Sequence, residues 1–289
     1  MRITGRTRLA GIMGWPVTHS RSPALHNFWI DEHAIDGAYV PLAVKPEHLT
    51  QALRSLPVLG FRGCNLTLPH KQTALAIVDK VDPLARRIGA INTIIVTADG
   101  NLEGRNTDAF GFRENLRERA PDWKPSAGPA VVLGAGGGAR GVVAALIEMR
   151  VEEIRIVNRT LARAEQVARD LTASATRITA APWGDLDPAL RDAGLLVNTT
   201  SLGMSGEPPL EIDLSPLPPA AVVADIVYVP LETPLLAAAR QRGYRTVDGL
   251  GMLLHQGRPG FEAWFGSPVQ VTRELRAALL TTLGVMGTR

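Results

Sequence analysis

Apolar and polar positions alternate in blocks along this chain. In its first third, Leu9–Gly14, Tyr39–Val44 and Cys64–Leu68 are short apolar runs that read as strands. Between them, Pro23–Ala34, Pro46–Leu56 and Lys71–Val78 carry helical spacing. Ile91–Thr97 and Asn101–Gly104 read as two strands joined at Asp99-Gly100, a hairpin dipeptide. This section is therefore expected to be α/β with a mixed sheet. Thr107 stands where a residue would cap a helix running to about Arg119.

Pro121–Pro129, rich in proline with glycine and serine, reads as a linker. A regular series follows. Ala130–Leu133, Ile154–Val157, Arg177–Thr179, Leu195–Asn198, Val222–Ile226 and Tyr244–Val247 read as strands, with helices between most of them. Short β-branched strands alternating with helices predict a parallel, doubly wound sheet. Gly206–Pro219 is a long proline-rich connection, and Leu250–Leu283 reads as two helices. The expected organisation is a first domain over 1–120, a second over 121–248, and C-terminal helices over 249–289 that pack back on the first. A ligand would sit in the cleft between the domains, facing the carboxyl ends of the parallel strands.

Composition narrows the class. The chain has 289 residues, 45% hydrophobic and 20% charged, enough for about two globular domains. No apolar run approaches the roughly 18 residues that span a bilayer, and the N-terminal stretch lacks a signal-peptide core, so a cytoplasmic enzyme is expected. The net charge is +3, and the basic residues are dispersed. That argues against nucleic acid and suits small anionic ligands. The single Cys64 excludes an intramolecular disulfide and a thiolate zinc site, and it reads as a small core residue. The six histidines show no metal-ligand spacing; His26 and His33 read as structural, and no metal is expected.

Two runs then point to a cofactor. Val131-Val-Leu-Gly134-Ala135-Gly136-Gly137-Gly138-Ala139 is a strand opening into G-x-G-x-x-A before the helical Val142–Met149. In this Rossmann-type fingerprint the first glycine makes a tight turn and the second lets backbone approach a pyrophosphate. Ala139 lets the helix lie close, and the helix N-terminus offers free N–H groups to the phosphates. The second run, Asn158-Arg159-Thr160-Leu-Ala-Arg163, follows the next strand. An NAD site usually has an acid here for the ribose 2′-OH. Asn158 with Arg159 and Arg163 suits a 2′-phosphate instead, so NADP(H) is expected. The plainer, less favoured reading of Arg163 is a solvated residue of the helix Leu161–Leu171.

Four polar residues carry candidate chemistry. Ser20 and Ser22 flank Arg21 just before Pro23. They can donate to a carboxylate, although Ser22 before a proline is also an ordinary helix cap. Lys71 follows Pro69-His70 at a helix start, where the dipole disfavours a cation. Asp108 lies at another helix start, where an aspartate ordinarily complements the dipole. Lys71 and Asp108 could form an acid/base pair.

The runs Gly14-Trp-Pro-Val-Thr-His-Ser20-Arg-Ser22-Pro, Asn65-Leu-Thr67-Leu-Pro-His-Lys71, Gly89-Ala-Ile-Asn92-Thr and Asn106-Thr-Asp108 closely resemble those of the shikimate dehydrogenase family. So do Asn198-Thr-Thr-Ser-Leu-Gly-Met, Asp225-Ile-Val-Tyr228 and Asp248-Gly249-Leu-Gly-Met-Leu-Leu-His-Gln256. The motifs run in the family's order over nearly the whole chain. The resemblance implies an N-terminal substrate domain, an NADP domain, and reversible NADPH-linked reduction of 3-dehydroshikimate to shikimate. It implies Lys71 and Asp108 as the catalytic pair, and Ser20 and Ser22 on the substrate carboxylate with Tyr228 near it. Thr67, Asn92, Asp108 and Gln256 match substrate-binding positions. Ile226 and Gly249 match positions lining the nicotinamide; Thr200 and Ser201 fall toward the adenosine half. A catabolic quinate/shikimate dehydrogenase is a second reading, though such relatives often prefer NAD and carry an acid where Asn158 stands. A non-catalytic NADP-binding sensor is a third, and it would not need both Lys71 and Asp108. The sequence leaves monomer and homodimer both open.

Overall fold

The apolar runs form two six-stranded sheets in a computed structural model that describes residues 3–284. The chain divides into two units: residues 3–107 with 256–284, and residues 108–255.

The first unit contains β1 (Arg8–Gly14), α1 (Ser22–Glu32), β2 (Gly37–Ala43), α2 (Leu49–Ser55), β3 (Phe61–Leu66) and α3 (His70–Thr73). It continues through β4 (Lys80–Val81), α4 (Pro83–Ile88), β5 (Thr93–Val96) and β6 (Leu102–Arg105). Its sheet has the order β2-β1-β3-β5-β6-β4 and is mixed: β3–β5 and β5–β6 pair antiparallel, the other pairs parallel. Two predicted helices are shorter than their spacing suggests. The 46–56 stretch starts as a 3-10 turn, Pro46–His48. The 71–78 stretch is the single turn α3 and then a 3-10 turn, Ala74–Ala76, in which the Ala74 carbonyl accepts from Ile77. Ala74 and Ile77 both turn into the core there, so packing overrides helical propensity. β4 and α4 lie outside the predicted elements. Asp82 caps α4 by accepting from the N–H groups of Leu84 (2.9 Å) and Ala85 (3.3 Å), and Gly89 ends it in the left-handed region.

Leu49, Leu53 and Leu56 pack with Met13, Cys64, Leu66 and Ile94 in one cluster. Each such side chain contributes about 1.5–3 kcal/mol by burial. Cys64 is fully buried, which pushes its thiol pKa up. A second cluster is aromatic. The His26 ring stacks on Tyr39 at 4.1 Å, with Trp29, Phe261 and Trp264 around it. Trp264 Nε1 donates to the Ile94 carbonyl (2.9 Å) and Trp29 Nε1 to that of Gln270 (3.0 Å), which ties residues 256–284 to this unit.

The second unit opens with α5 (Asp108–Arg119), then β7 (Ala130–Leu133), α6 (Gly137–Glu148), β8 (Glu153–Asn158), α7 (Leu161–Asp170) and β9 (Arg177–Pro182). It continues through α8 (Leu186–Leu190), β10 (Leu195–Asn198), β11 (Val222–Asp225), α9 (Pro234–Gln241) and β12 (Arg245–Val247). Its sheet is wholly parallel in the order β12-β11-β10-β7-β8-β9. The order reverses between β7 and β10, the place where such sheets bind ligands at their carboxyl ends. A Cβ on Gly141 would lie 3.0 Å from the Cβ of Asp108, so this glycine lets α5 and α6 approach closely. α10 (Gly249–Phe265) begins in the second unit and continues into the first, whose last helix is α11 (Arg273–Thr282). No helix of the described residues is long and apolar enough to cross a membrane.

Candidate active site

In the first unit, backbone bonds draw the ends of β1, β2 and β3 together. Thr67 N–H donates to the Met13 carbonyl (2.9 Å), Val44 N–H to that of Gly14 (3.1 Å) and Trp15 N–H to that of Leu68 (3.1 Å). His70, buried on α3, sets its Nε2 2.8 Å from the Val44 carbonyl oxygen. Its neighbour Lys71 is half-buried, and the Lys71 carbonyl accepts from Ile91 N–H (2.8 Å). α3 has only four residues, too short for the dipole to weigh much on Lys71.

Asn92 follows directly and is buried in a polar network. Its Oδ1 accepts from Thr107 N–H (2.8 Å), the Thr93 hydroxyl (2.9 Å) and the Thr107 hydroxyl (3.2 Å). Its Nδ2 reaches Gln256 Oε1 at 3.5 Å. The carboxamide is thus fixed with its NH₂ toward Gln256. Thr107, expected as a cap, spends its side chain here. The network extends to Asn65, whose Nδ2 donates to the Asn92 carbonyl and to Thr93 Oγ1, both at 3.1 Å. Tyr39 hydroxyl donates to Asn65 Oδ1 (2.7 Å). So Tyr39, Asn65, Asn92 and Gln256 are joined by one chain of polar contacts.

The cap before α1 differs from expectation. The cap position is Arg21, without a side-chain cap bond, and Ser22 is the first helical residue. The Ser20 hydroxyl instead accepts from Ser22 N–H at 3.2 Å. Capping by Ser22 is therefore ruled out, because Pro23 takes the second helical place rather than the first. His26 is fully buried, and desolvation lowers its pKa to about 3 against a weaker opposing bond from Asn65. It is a neutral core residue, in keeping with the structural role read from the sequence.

In the second unit Asp108 is the first residue of α5 and buried. Gly134 turns with φ 104°, and Gly136 precedes the first residue of α6. A Cβ on Gly136 or Gly137 would meet no protein atom within 4 Å. A Cβ on Gly138 would lie 2.6 Å from Ile226 Cδ1, and one on Gly249 would collide with the Ile226 carbonyl. Gly138, Ile226 and Gly249 are thereby brought together. Ala139 is fully buried beneath the turn. At the end of β8, Asn158 Nδ2 donates to the Thr160 carbonyl (2.7 Å), and Arg159 and Arg163 are exposed. This donor set fits NADP(H): open glycine backbone at a helix N-terminus, no acid at the end of β8, and two guanidinium groups on α7 and just before it.

The functional environment also holds residues to which the sequence reading gave no part in the site. Tyr39, Asn65, Thr93 and Thr107 orient Asn92. Asn198, Asp225 and Thr233 form a second network at the ends of β10 and β11. Asn65, Asn198 and Asp225 lie inside the quoted motifs, which was their only signal.

Comparison with known proteins agrees with this geometry. Residues 12–94 match the family model for the shikimate dehydrogenase substrate binding domain, and residues 119–204 match that for shikimate / quinate 5-dehydrogenase. A protein of Rhodospirillum rubrum named shikimate dehydrogenase (NADP(+)) is 61% identical over 279 residues, 96% of this chain and 99% of that one. A crystal structure of shikimate 5-dehydrogenase from Thermus thermophilus, in complex with NADP(H) and shikimate, is 36% identical. It aligns with a TM-score of 0.82 over 96% of this chain and 99% of that one. A quinate dehydrogenase from Corynebacterium glutamicum, in complex with NAD, is 30% identical with a TM-score of 0.87 over 95% and 99% of the two chains.

Proposed function

The chain belongs to the shikimate dehydrogenase family, and on that premise we infer that it catalyses the reversible NADP(H)-linked interconversion of 3-dehydroshikimate and shikimate. The observation that carries the cofactor choice is the end of β8, where Asn158 replaces an acid and Arg159 and Arg163 stand exposed. In this reading residues 1–120 bind the substrate and carry catalysis, 121–248 bind NADP(H), and the C-terminal helices of 249–289 pack back on the first domain, with 1–2 and 285–289 lying outside the described residues. The backbone of Gly134, Ala135, Gly136, Gly137 and Gly138 cradles the pyrophosphate. Asn158, Arg159, Thr160 and Arg163 hold the adenosine 2′-phosphate end, while Ile226 and Gly249 line the nicotinamide.

When bound, the nicotinamide supplies the hydride that reduces the C3 carbonyl. The side chains do the rest. The Ser20 and Ser22 hydroxyls donate to the substrate carboxylate, with Tyr228 beside it. Thr67, Asn92, Asp108 and Gln256 bind the ring hydroxyls. Asn92 donates through its NH₂, since its Oδ1 already takes three donors. Lys71, as an ammonium, stabilises charge developing on the carbonyl oxygen and delivers a proton to it. In the reverse direction it accepts the hydroxyl proton. Asp108 is the acidic member of this pair.

The second reading, a catabolic quinate/shikimate dehydrogenase, has a neighbour in the quinate dehydrogenase solved with NAD, but the basic residues after β8 argue against it here. We further read the enzyme as cytoplasmic, acting on a small molecule without nucleic acid, as a monomer or homodimer. Steady-state oxidation of shikimate and of quinate, each with NADP⁺ and NAD⁺, tests the assignment. Shikimate with NADP⁺ should be the fastest pairing. A preference for quinate or for NAD⁺ would overturn it.

A further inference from the structure

Asp225 is the last residue of β11, inside the parallel sheet and 2% exposed. Its Oδ1 accepts from Asn198 Nδ2 (3.0 Å) and from Val227 N–H (2.9 Å), and its Oδ2 from the Thr233 hydroxyl (2.7 Å). Thr233 is fully buried, and its Oγ1 accepts in turn from Leu236 N–H (3.3 Å), capping α9. Asn198, also fully buried, accepts from Thr200 N–H (3.0 Å) and the Thr200 hydroxyl (2.7 Å) and donates to the Leu202 carbonyl (3.1 Å). One carboxylate therefore ties the strand-end turn after β10 to both ends of the 226–233 segment. Ile226 and Tyr228 lie within that segment. Ile226 also packs against Gly138 and Gly249.

Three donors converge on this side chain, and only an acceptor-only group satisfies them all. All three are neutral. From the β12 side, Asp248 engages Leu250 N–H (3.1 Å) and Arg119 (3.4 Å). Burial raises the Asp225 pKa to about 6 against the three bonds that oppose the shift. The folded state then binds the proton more tightly than the unfolded chain. The ionised form costs stability at neutral pH, and that cost fades as pH falls through about 6 toward 3.8. A charge kept at the expense of stability, with no cation beside it among the described residues, is an arrangement typical of functional sites.

We propose that Asp225 is a positioning residue, whose carboxylate sets Ile226 against the glycine turn and so governs cofactor affinity. The inference rests on the reading that Ile226 lines the nicotinamide. Asp225→Asn keeps the shape but turns a donor toward Thr233. In the full-length enzyme at pH 8 it should raise the KM for NADP⁺ about tenfold while raising the Tm, since a buried charge is removed. The wild-type KM for NADP⁺ should rise more steeply than the variant's as pH drops below about 6, since the 2′-phosphate titrates there in both and Asp225 only in the wild type. Thr233→Val removes the Oδ2 donor and should also raise that KM; Thr233→Ser should restore it. This second pair decides the matter if the asparagine variant fails to fold. An unchanged NADP⁺ KM in the folded variants, or a lowered Tm and kcat with KM intact, overturns the positioning role. A wild-type enzyme that does not oxidise shikimate with NADP⁺ overturns the functional reading instead.

Discussion

The carbonyl of Lys71 accepts the N–H of Ile91 at 2.8 Å, so the residue offered as proton donor and the residue before Asn92 share one backbone bond. Position for the acid group thus comes from the main chain, while its long side chain remains the chemical agent. Lys71→Ala should therefore spare the fold and lower kcat by 10²-fold or more, on the general acid–base scale of ~10²–10⁴. NADPH binding should be unaffected. Asp108→Asn should also slow turnover and shift the pH–rate profile. Measured as a double-mutant comparison of kcat at several pH values, the two losses should be far less than multiplicative. Near-normal kcat in Lys71→Ala would rule out its role.

Arg159→Ala should raise the NADP⁺ KM at least tenfold, since a charge-assisted hydrogen bond contributes about 1.5–3 kcal/mol. NAD⁺ kinetics should change little. The contrast between the two cofactors is the measurement; equal loss with both would mark Arg159 as a support of the fold.

Replacing Ser20 and Ser22 together by alanine should raise the shikimate KM more than it alters NADP⁺ binding. Ser22 does not cap α1, and the one capping-type bond lost is the 3.2 Å bond to Ser20. The stability cost should stay near 1 kcal/mol or less. A large drop in Tm with shikimate affinity intact would show that the hydroxyls serve the helix.

His26 adds to the acid sensitivity of the first unit. Its pKa is about 3 in the fold against 6.5 in the unfolded chain, so the unfolded state takes up a proton first as pH falls. The stability it contributes is complete above 6.5 and drains away down to about 3, at most about 5 kcal/mol over that span. His26→Phe should keep the stack on Tyr39 and flatten the fall of Tm between pH 6.5 and 3. A Tm profile as steep as the wild type's would place the acid sensitivity elsewhere.

Sequence pattern located the glycine turn, the parallel strand series and the basic residues after β8, because each is a local signal. It missed α4 although Asp82, Pro83 and Gly89 spell its start and stop, since six residues carry too little periodicity. It overran α3, where burial of Ala74 and Ile77 rather than propensity decides the turn. The networks around Asn92 and Asp225 were out of reach for another reason. Their bonds join residues as distant as Tyr39 and Asn65, or Asn198 and Asp225, and pairings of that span leave no periodic trace.

The open sides of Gly136 and Gly137 separate two kinds of tolerance. A methyl group there meets no protein atom, and in the first turn of a helix alanine is as acceptable to the backbone as glycine or better. A screen that scores only expression or melting temperature would rate Gly137→Ala as harmless or mildly beneficial. A screen that scores growth dependent on turnover would reject it. Where the two screens disagree at this turn, the constraint on the glycine comes from turnover and not from the stability of the fold.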